Sequence, residues 1–390
     1  MSARGAQRLN SGHLWVYRSD IAGAENIPPA ALVQVRDHRG RGLGSALYSS
    51  ASQIAIRMLT SKAVAEEDLI PLVRERIDTA VRFRRQQVRD ADSYRVIFSE
   101  ADLLPGLIVD KYNDILSMQV LTQAFDRLDI RQAVCESLKE HFAGGNLLDR
   151  IDPHIRELEQ LPACESRLVY GGKSSTIFTL NTVRFHFDGL SGQKTGAFLD
   201  QRENYAAAAR YARGEALDCF TYHGGFALHL ARICTAVTGV DASRPALEVA
   251  EKNEQLNREA HSCEIEWIEA NAFDLLKDYS SAGRQYDTIV LDPPAFAKTR
   301  KSVETALRGY KELNLRALQM LRPGGILVTC SCSFHVEPEA FSDMLASAAA
   351  DAGRRLRVLE TRGAAIDHPA LAGVPETRYL KCVISQVIDK

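Results

Sequence analysis

Apolar and polar residues alternate in short runs over the first sixty residues of the chain. Glycine-rich turns separate these runs, which predicts short strands packed as a small β-barrel. The predicted strands lie at 32–35, 44–48 and 53–57. Residues 65–90 follow a helical period instead, with charged residues between the apolar ones. The apolar positions of this predicted helix are Leu69, Leu72, Val73, Ile77 and Val81.

The middle of the chain mixes strand and helix patterns. Leu104-Pro105-Gly106 predicts a turn between two short apolar runs. Strands are predicted at 94–98, 107–109, 115–121, 167–170 and 183–187, and a helix at 128–141. The pattern indicates a second, α/β block between the barrel and the rest of the chain.

From Leu217 onward, strand and helix patterns alternate. Strands are predicted at 216–220, 236–240, 264–268, 287–291 and 325–329, and helices at 226–233, 245–256 and 302–320. This alternation predicts a doubly wound parallel sheet. In such a sheet ligands bind beyond the carboxyl ends of the strands, so residues at those ends are the first candidates for a site.

Composition and charge narrow the class of protein. The chain has 390 residues, enough for two or three domains, and its 45% hydrophobic and 25% charged residues are typical of a globular protein. No apolar run approaches the roughly 18 residues of a membrane span and no signal-peptide core is visible, so we expect a cytoplasmic protein. The eight cysteines show no metal-ligand spacing, which predicts free thiols and no metal site. Residues 1–99 carry 15 Lys and Arg against 10 Asp and Glu, a mild indication of a polyanionic partner.

The junction after the first strand of the parallel sheet contains paired glycines. The segment from Leu217 to Phe226 ends in Gly224-Gly225, which lets the backbone approach a ligand. Asp241 ends the next strand, where an acid can accept hydrogen bonds from both ribose hydroxyls of a nucleoside cofactor. The alternative is a tight turn followed by an Asp that caps a helix.

The same junction favours S-adenosylmethionine over a dinucleotide. A dinucleotide site has the pattern GxGxxG, with a helix N-terminus that receives the pyrophosphate. Here Phe226 stands where the third glycine is expected. S-adenosylmethionine has no phosphate and needs no such cradle.

Two prolines follow the fourth strand of the sheet in Asp292-Pro293-Pro294. They end the strand and stiffen the loop, which holds Asp292 at the sheet edge. An Asp-Pro-Pro element at this place is typical of nucleic-acid base methyltransferases, in which it contacts the target base. The alternative is a rigid turn without a chemical role.

Two cysteines, Cys330 and Cys332, leave the end of the fifth strand. Methylation at C5 of a pyrimidine requires a thiolate that adds to C6 and turns C5 into a nucleophile. Cys332 lies beyond the buried apolar run and is flanked by Ser331 and Ser333, so we predict that Cys332 is the nucleophile. The alternative is a pair of buried structural cysteines.

Long motifs in the chain resemble the RlmI-type family of bacterial 23S ribosomal RNA cytosine-C5 methyltransferases. They are the segments Gly12 to Tyr17, Glu100 to Asp110, and Gly192 to Asn204. The third segment is the most specific, and in family members it lies against the cofactor. From the residues alone, its Gly-Gln-Lys-Thr-Gly part is a polar loop, and Asp200 to Asn204 could cap a following helix.

The resemblance implies an architecture and a set of site residues. It implies a PUA-like RNA-binding β-barrel in residues 1–70, a central α/β bridging domain in 71–188, and a Rossmann-like class I methyltransferase domain in 189–390. It also implies a homodimer that uses S-adenosylmethionine and acts on 23S ribosomal RNA. The residues expected at the cofactor are Thr195, Phe198, Arg202, Phe220, Tyr222, Gly224, Gly225, Asp241 and Asn271. The predicted catalytic residues are Cys332 and Asp292.

The chain departs from the family pattern at three places. The segment before Gly12 is short, so the first strand of the PUA-like barrel is expected to be shortened or absent. Asn271 replaces the usual acid of the third cofactor motif, and an amide oxygen can accept a hydrogen bond but carries no charge. Tyr205 stands where an Arg is usual.

Three other functions compete with cytosine methylation. Asp-Pro-Pro elements also serve methylation of guanine and other bases at amino groups, which needs no cysteine. An RNA-binding scaffold without catalysis would not need Asp241, Asp292 and Cys332 together. A dinucleotide-dependent oxidoreductase is disfavoured because the GxGxxG pattern is missing.

Overall fold

The computed structural model describes residues 1–24, 26–190 and 197–388. The helices are α1 Ala3–Asn10, α2 Glu66–Gln87, α3 Leu128–His141, α4 Pro153–Leu158, α5 Arg202–Tyr211, α6 Gly225–Leu230, α7 Arg244–Asn257, α8 Ala272–Ser281, α9 Val303–Met320 and α10 Pro338–Asp351. The strands are β1 Trp15–Tyr17, β2 Leu32–Arg36, β3 Gly42–Tyr48, β4 Ile54–Thr60, β5 Tyr94–Phe98, β6 Leu107–Tyr112, β7 Ile115–Val120, β8 Asn146–Asp149, β9 Arg167–Tyr170, β10 Ser175–Leu180, β11 Val183–Asp188, β12 Glu215–Cys219, β13 Ala236–Asp241, β14 Glu264–Glu269, β15 Tyr286–Leu291, β16 Leu321–Ser331, β17 Arg355–Arg362 and β18 Lys381–Ile388.

The chain forms two compact units. The N-terminal unit consists of the described residues of 1–178, 187–196 and 366–377. The C-terminal unit consists of 179–186 and the described residues of 197–365 and 378–390. Each unit therefore collects residues from separate parts of the sequence.

The N-terminal unit contains two sheets. Strands β1 to β4 form an antiparallel sheet in the order β1-β4-β3-β2, as the alternating pattern predicts, and helix α1 precedes β1. Gly44 in β3 has φ +125°, and a Cβ there would lie 2.0 Å from the carbonyl oxygen of Thr60 in the neighbouring strand β4, so this close approach needs glycine. The second sheet has the order β5-β6-β7-β8-β9. Helix α2 packs Leu69, Val73 and Ile77 into the same hydrophobic core as this sheet.

The C-terminal unit is built on a seven-stranded sheet. Its order is β14-β13-β12-β15-β16-β18-β17. The pairs among β12 to β16 are parallel, as the alternating pattern predicts, whereas β18 pairs antiparallel with both β16 and β17. The antiparallel pair is absent from the sequence prediction, although β17 alternates charged and apolar residues over its first part, a pattern typical of a half-exposed strand. Helices α8, α9 and α10 contribute to the core of this unit on one side of the sheet.

The register of the parallel strands aligns the predicted site residues. One row of paired residues crosses four strands: Val240 of β13, Cys219 of β12, Leu291 of β15 and Thr329 of β16. The residues directly after this row are Phe220, Asp241, Asp292 and Cys330. The first three are predicted site residues, and Cys330 lies two residues before Cys332. The sheet therefore collects side chains from distant parts of the sequence at its carboxyl edge.

Two further features concern the described residues only. None of the helices among the described residues is both long enough and apolar enough to cross a membrane. The described residues also contain no group of three His, Cys, Asp or Glu side chains suited to hold a metal ion.

Candidate active site

The turn after β12 has an unusual backbone. Phe220 and Tyr222 adopt left-handed conformations with φ +67° and +52°, and Gly224 follows with φ +82°. Such conformations are costly for residues other than glycine and need support from the surroundings. Asp218 supplies it, because its Oδ2 accepts hydrogen bonds from Thr221 Oγ1 at 2.6 Å and from the Ala227 amide at 2.9 Å. Burial raises the pKa of the Asp218 carboxyl to about 7.

Gly225 is required because of Tyr205. A Cβ at Gly225 would lie 2.6 Å from both Cζ and Oη of Tyr205. Tyr205 is buried in α5, its hydroxyl donates to the Phe198 carbonyl at 3.3 Å, and its ring packs edge-on against Phe226 with 4.7 Å between centroids. Tyr205 thus packs directly against the glycine turn.

A pocket opens beside this turn, and most of its lining is aromatic. It brings together five of the predicted site residues: Phe198, Phe220, Tyr222, Gly225 and Asp292. The other lining residues among those described are Phe185, Ala197, Tyr205, Thr221, His223 and Phe226. Phe198 is 43% exposed and lies 5.1 Å from the Tyr222 ring, which stacks on His223 at 3.7 Å. The walls suit a flat ring system with apolar faces.

Asp241 is fixed at the end of β13 beside the pocket. Its Oδ2 accepts from the Tyr222 amide and its Oδ1 from the Ser243 amide, each at 2.9 Å. A carboxylate oxygen can accept more than one hydrogen bond, so both oxygens can still accept from hydroxyls. Asp241 therefore braces the turn and offers a charged acceptor at the same time.

The remaining predicted cofactor residues lie in different settings. Asn271 caps α8, and its Oδ1 accepts from the Phe273 amide at 2.9 Å. Arg202 is buried and forms an ion pair with Glu203 at 3.2 Å. Arg202, Gly224, Asp241 and Asn271 are not among the described lining residues of the pocket. Thr195 lies outside the described residues.

Asp292 follows β15 and faces the pocket. Its Oδ1 accepts a hydrogen bond from Gln201 Nε2 at 3.0 Å. The carboxyl is enclosed although part of the residue is exposed, and this burial, with the nearby charges of Asp200 and Asp218, raises the pKa of Asp292 to about 8. The carboxyl therefore carries a proton at neutral pH.

A chain of side chains orients Gln201. Asn204 Nδ2 donates to Gln201 Oε1 at 2.6 Å, and Arg362 Nε donates to Asn204 Oδ1 at 2.8 Å. Since an Arg can only donate, the direction of both amides is set, and Gln201 presents its amino group to Asp292. The prediction that Asp200 to Asn204 cap a helix is wrong, because α5 begins at Arg202 without a side-chain cap; Gln201 and Asn204 are used for this network instead.

The two cysteines differ in burial. Cys330 is fully buried opposite Cys382 of β18, and burial raises the pKa of its thiol well above the ordinary value. Cys332 is half-buried, with its Sγ 3.9 Å from the Pro293 carbonyl oxygen. Burial raises the pKa of Cys332 to about 11, the carboxyls of Asp292 and Asp200 act in the same direction, and the charge of Lys381 opposes them.

Tyr310 of α9 holds the serines on both sides of Cys332. Ser331 Oγ donates to the Tyr310 hydroxyl at 3.0 Å, and that hydroxyl lies 2.9 Å from Ser333 Oγ. Ser333 Oγ also accepts from the Ala297 amide at 3.0 Å, in the loop that begins with Asp292. These buried hydroxyls connect the loop of Asp292 to the turn of Cys332, and nothing in the sequence pattern pointed to Tyr310.

Comparison with known proteins identifies the domains. Residues 1–61 match the model of a PUA-like domain, and residues 161–374, more than half of the chain, match the model of an S-adenosylmethionine-dependent methyltransferase. A solved structure described as a SAM-dependent methyltransferase from Streptococcus mutans has the same fold, with a TM-score of 0.82, 18% identity, and coverage of 99% of this chain and 98% of that one.

Curated relatives match nearly the whole length. Ribosomal RNA large subunit methyltransferase I of Shewanella denitrificans is 36% identical over 387 residues, which is 97% of this chain and 96% of the relative. The protein of the same name from Tolumonas auensis is 36% identical over 393 residues, with 96% of each chain covered. The chain therefore belongs to the family of S-adenosylmethionine-dependent methyltransferases that includes ribosomal RNA large subunit methyltransferase I.

Proposed function

We propose that this protein methylates C5 of a cytosine in the 23S ribosomal RNA of the large ribosomal subunit. The observation that carries the proposal is the placement of a carboxyl and a half-buried thiol at the carboxyl ends of adjacent parallel strands. Asp292 follows β15 and Cys332 follows β16, and the Ser333 hydroxyl binds the loop of the first to the turn of the second.

The pocket suits S-adenosylmethionine, which would supply an electrophilic methyl group when bound. Phe198 and Tyr222 offer apolar ring faces, and Gly225 allows close approach of the backbone. The fixed carboxylate of Asp241 is a suitable acceptor for ribose hydroxyls. The turn with Phe226 in place of a third glycine fits a cofactor without phosphate.

Asp292 is proposed to act on N3 of the cytosine. Its carboxyl keeps a proton at neutral pH because burial raises its pKa to about 8. Gln201 donates to Oδ1, which favours the proton on Oδ2, where it can reach a base. A proton donor at N3 stabilises the charge that develops on the ring when a thiolate adds to C6.

Cys332 is proposed to form the bond to C6. After a base takes its thiol proton, Sγ adds to C6, the proton of Asp292 moves to N3, and C5 becomes nucleophilic enough to take the methyl group. Loss of the C5 proton to a base then expels Sγ as a thiolate, and return of the N3 proton to Asp292 restores the neutral ring. The half-buried position of Cys332 suits this role better than the fully buried Cys330.

The N-terminal part is proposed to bind RNA. Residues 1–70 would act as the RNA-binding domain, 71–188 as the bridge and 189–390 as the catalytic domain. Trp15 is engaged within its own unit, since its Nε1 donates to Glu100 at 2.8 Å and Arg57 lies over its ring. Arg36 and Arg39, by contrast, are exposed and are candidates for contacts with RNA phosphates. A cytoplasmic homodimer is part of the proposal, and light scattering tests its dimeric state.

The test is a covalent trap. RNA in which 5-fluorocytosine replaces cytosine blocks loss of the C5 substituent, so the unmutated enzyme should accumulate an adduct that survives denaturation. Cys332→Ala should abolish the adduct, and Cys330→Ala, the matched control, should retain it. Methylation without any adduct would favour the alternative, methylation of another base such as guanine. No binding of S-adenosylmethionine would favour a silent RNA-binding scaffold.

A further inference from the structure

A lysine is buried next to the turn that carries Cys332. Lys381, the first residue of β18, is 5% exposed and pairs with Ser331 across the antiparallel ladder to β16. Its Nζ donates to the carbonyl oxygen of Ser333 at 2.6 Å and to that of Tyr379 at 2.9 Å. The ammonium thus binds the backbone directly after Cys332, while Tyr310 binds the two serine hydroxyls around it.

The charge of this ammonium has little compensation. Lysine is almost never buried without a partner of opposite charge. In the part of the chain that the structure describes, Lys381 forms no ion pair with a carboxylate, and its titratable neighbours are Glu337, before α10, and the thiol of Cys332. An ammonium has three hydrogens, and the two carbonyls take two of them. One donor and a positive charge remain for an anion that forms nearby.

We propose that Lys381 is a positioning residue that fixes the turn of Cys332 and stabilises its thiolate. The catalytic meaning of this inference rests on the proposed role of Cys332 as the nucleophile. The effect on the thiol itself does not depend on RNA or on the cofactor, so it can be measured separately from methyl transfer.

The groups around Cys332 determine the sign of the effect. The charge of Asp200 disfavours a thiolate, as does that of Asp292 once this carboxyl loses its proton, and the phenol of Tyr310 is neutral at physiological pH. A backbone hydrogen bond at Cys332 and the positive charge of Lys381 favour the thiolate. Burial lowers the pKa of Lys381 to about 8, so the ammonium is charged at pH 7 and loses its charge as the pH rises through 8. Its influence on the thiolate should therefore be present below pH 8 and fade above it.

The experiment measures how fast Cys332 reacts with iodoacetamide in the full-length protein, with peptide mass spectrometry to follow this cysteine alone. Only the thiolate reacts, so a rise of the thiol pKa by one unit slows the reaction about tenfold at a pH well below that pKa. Lys381→Met should slow alkylation about tenfold at pH 7. The ratio of wild-type to variant rates should approach one above pH 9, a trend that a merely structural role would not produce.

Two further variants control for charge and folding. Arg378→Met removes an exposed positive charge three residues away and should leave the alkylation rate unchanged. Lys381→Arg retains a positive charge at every pH used, so the pH profile of its Cys332 alkylation rate should show no change near pH 8. This variant keeps the inference testable if Lys381→Met fails to fold. Equal rates in wild type and Lys381→Met, or a ratio that does not vary with pH, would overturn the inference. Absence of the 5-fluorocytosine adduct in the unmutated enzyme would instead refute only the proposed reaction.

Discussion

Replacing Gly225 by Ala should damage the cofactor pocket through a steric conflict with Tyr205. The new Cβ would lie 2.6 Å from the ring, and ordinary contact begins at 3.4 Å, so the ring or the turn must move by about 0.8 Å. The ring cannot move easily because Phe226 and His229, both buried, pack against it at 4.7 and 5.1 Å. Overpacking of this kind costs about 1–3 kcal/mol. If the turn moves instead of the ring, the pocket changes shape, and the same cost in binding lowers the affinity for S-adenosylmethionine about 5- to 150-fold.

Isothermal calorimetry of the full-length protein measures that affinity. Gly309→Ala is the matched control, because its Cβ would have its nearest neighbour at 3.5 Å and alanine favours a helix such as α9. The same change in a Tyr205→Leu background tests the cause, since leucine lacks the atoms that the Cβ would meet. There, the added cost of Gly225→Ala should fall below about 0.5 kcal/mol. Unchanged affinity in Gly225→Ala, or an equal loss in both backgrounds, would refute the steric argument.

Three other predictions concern the remaining parts of the site. Asp241→Ala should weaken binding of S-adenosylmethionine by about 1–3 kcal/mol, the value of a hydrogen bond to a charged group, and calorimetry that finds no change would remove Asp241 from the site. Asp292→Asn should abolish methyl transfer but retain cofactor binding, because an amide cannot give up a proton; the rise of wild-type transfer with pH should level off near pH 8, where Asp292 loses its proton while the thiolate fraction of Cys332 still increases, and turnover by the variant at the normal rate would contradict this role. Replacing Arg36 and Arg39 by Gln should weaken RNA binding and reduce its dependence on salt while cofactor affinity stays unchanged, and an unaltered salt dependence would exclude these arginines from the interface.

Local patterns predicted the elements whose apolar residues contrast clearly with their neighbours. Strands β5 and β9 and helix α3 begin and end where the pattern places them, and most other predicted elements differ by a few residues. Helix α10 was missed because its alanine-rich sequence shows little contrast between apolar and polar faces. Its helical conformation depends on packing in the C-terminal unit, which a local pattern does not contain.

The residues of the candidate site also fall into two groups, those that a local sequence pattern could predict and those that it could not. Asp292 and Cys332 could be proposed because each belongs to a short motif at the end of a strand. Gln201 and Tyr310 could not, because their roles arise only when distant segments meet in the sheet. One sequence feature could have indicated Lys381. It is a single charged residue between Leu380 and Cys382 in an otherwise apolar run, which is unusual for a central strand.

The aligned row of Cys219, Val240, Leu291 and Thr329 constrains how this sequence can tolerate insertions and deletions. Loops and helices between these strands can change in length without moving the residues that follow the row. Loss of one residue within β15 would shift Asp292 by about 3.3 Å and turn it to the opposite face of the sheet. Length variation among homologous sequences should therefore concentrate between the strands, and strands of conserved length should mark the residues that share one reaction.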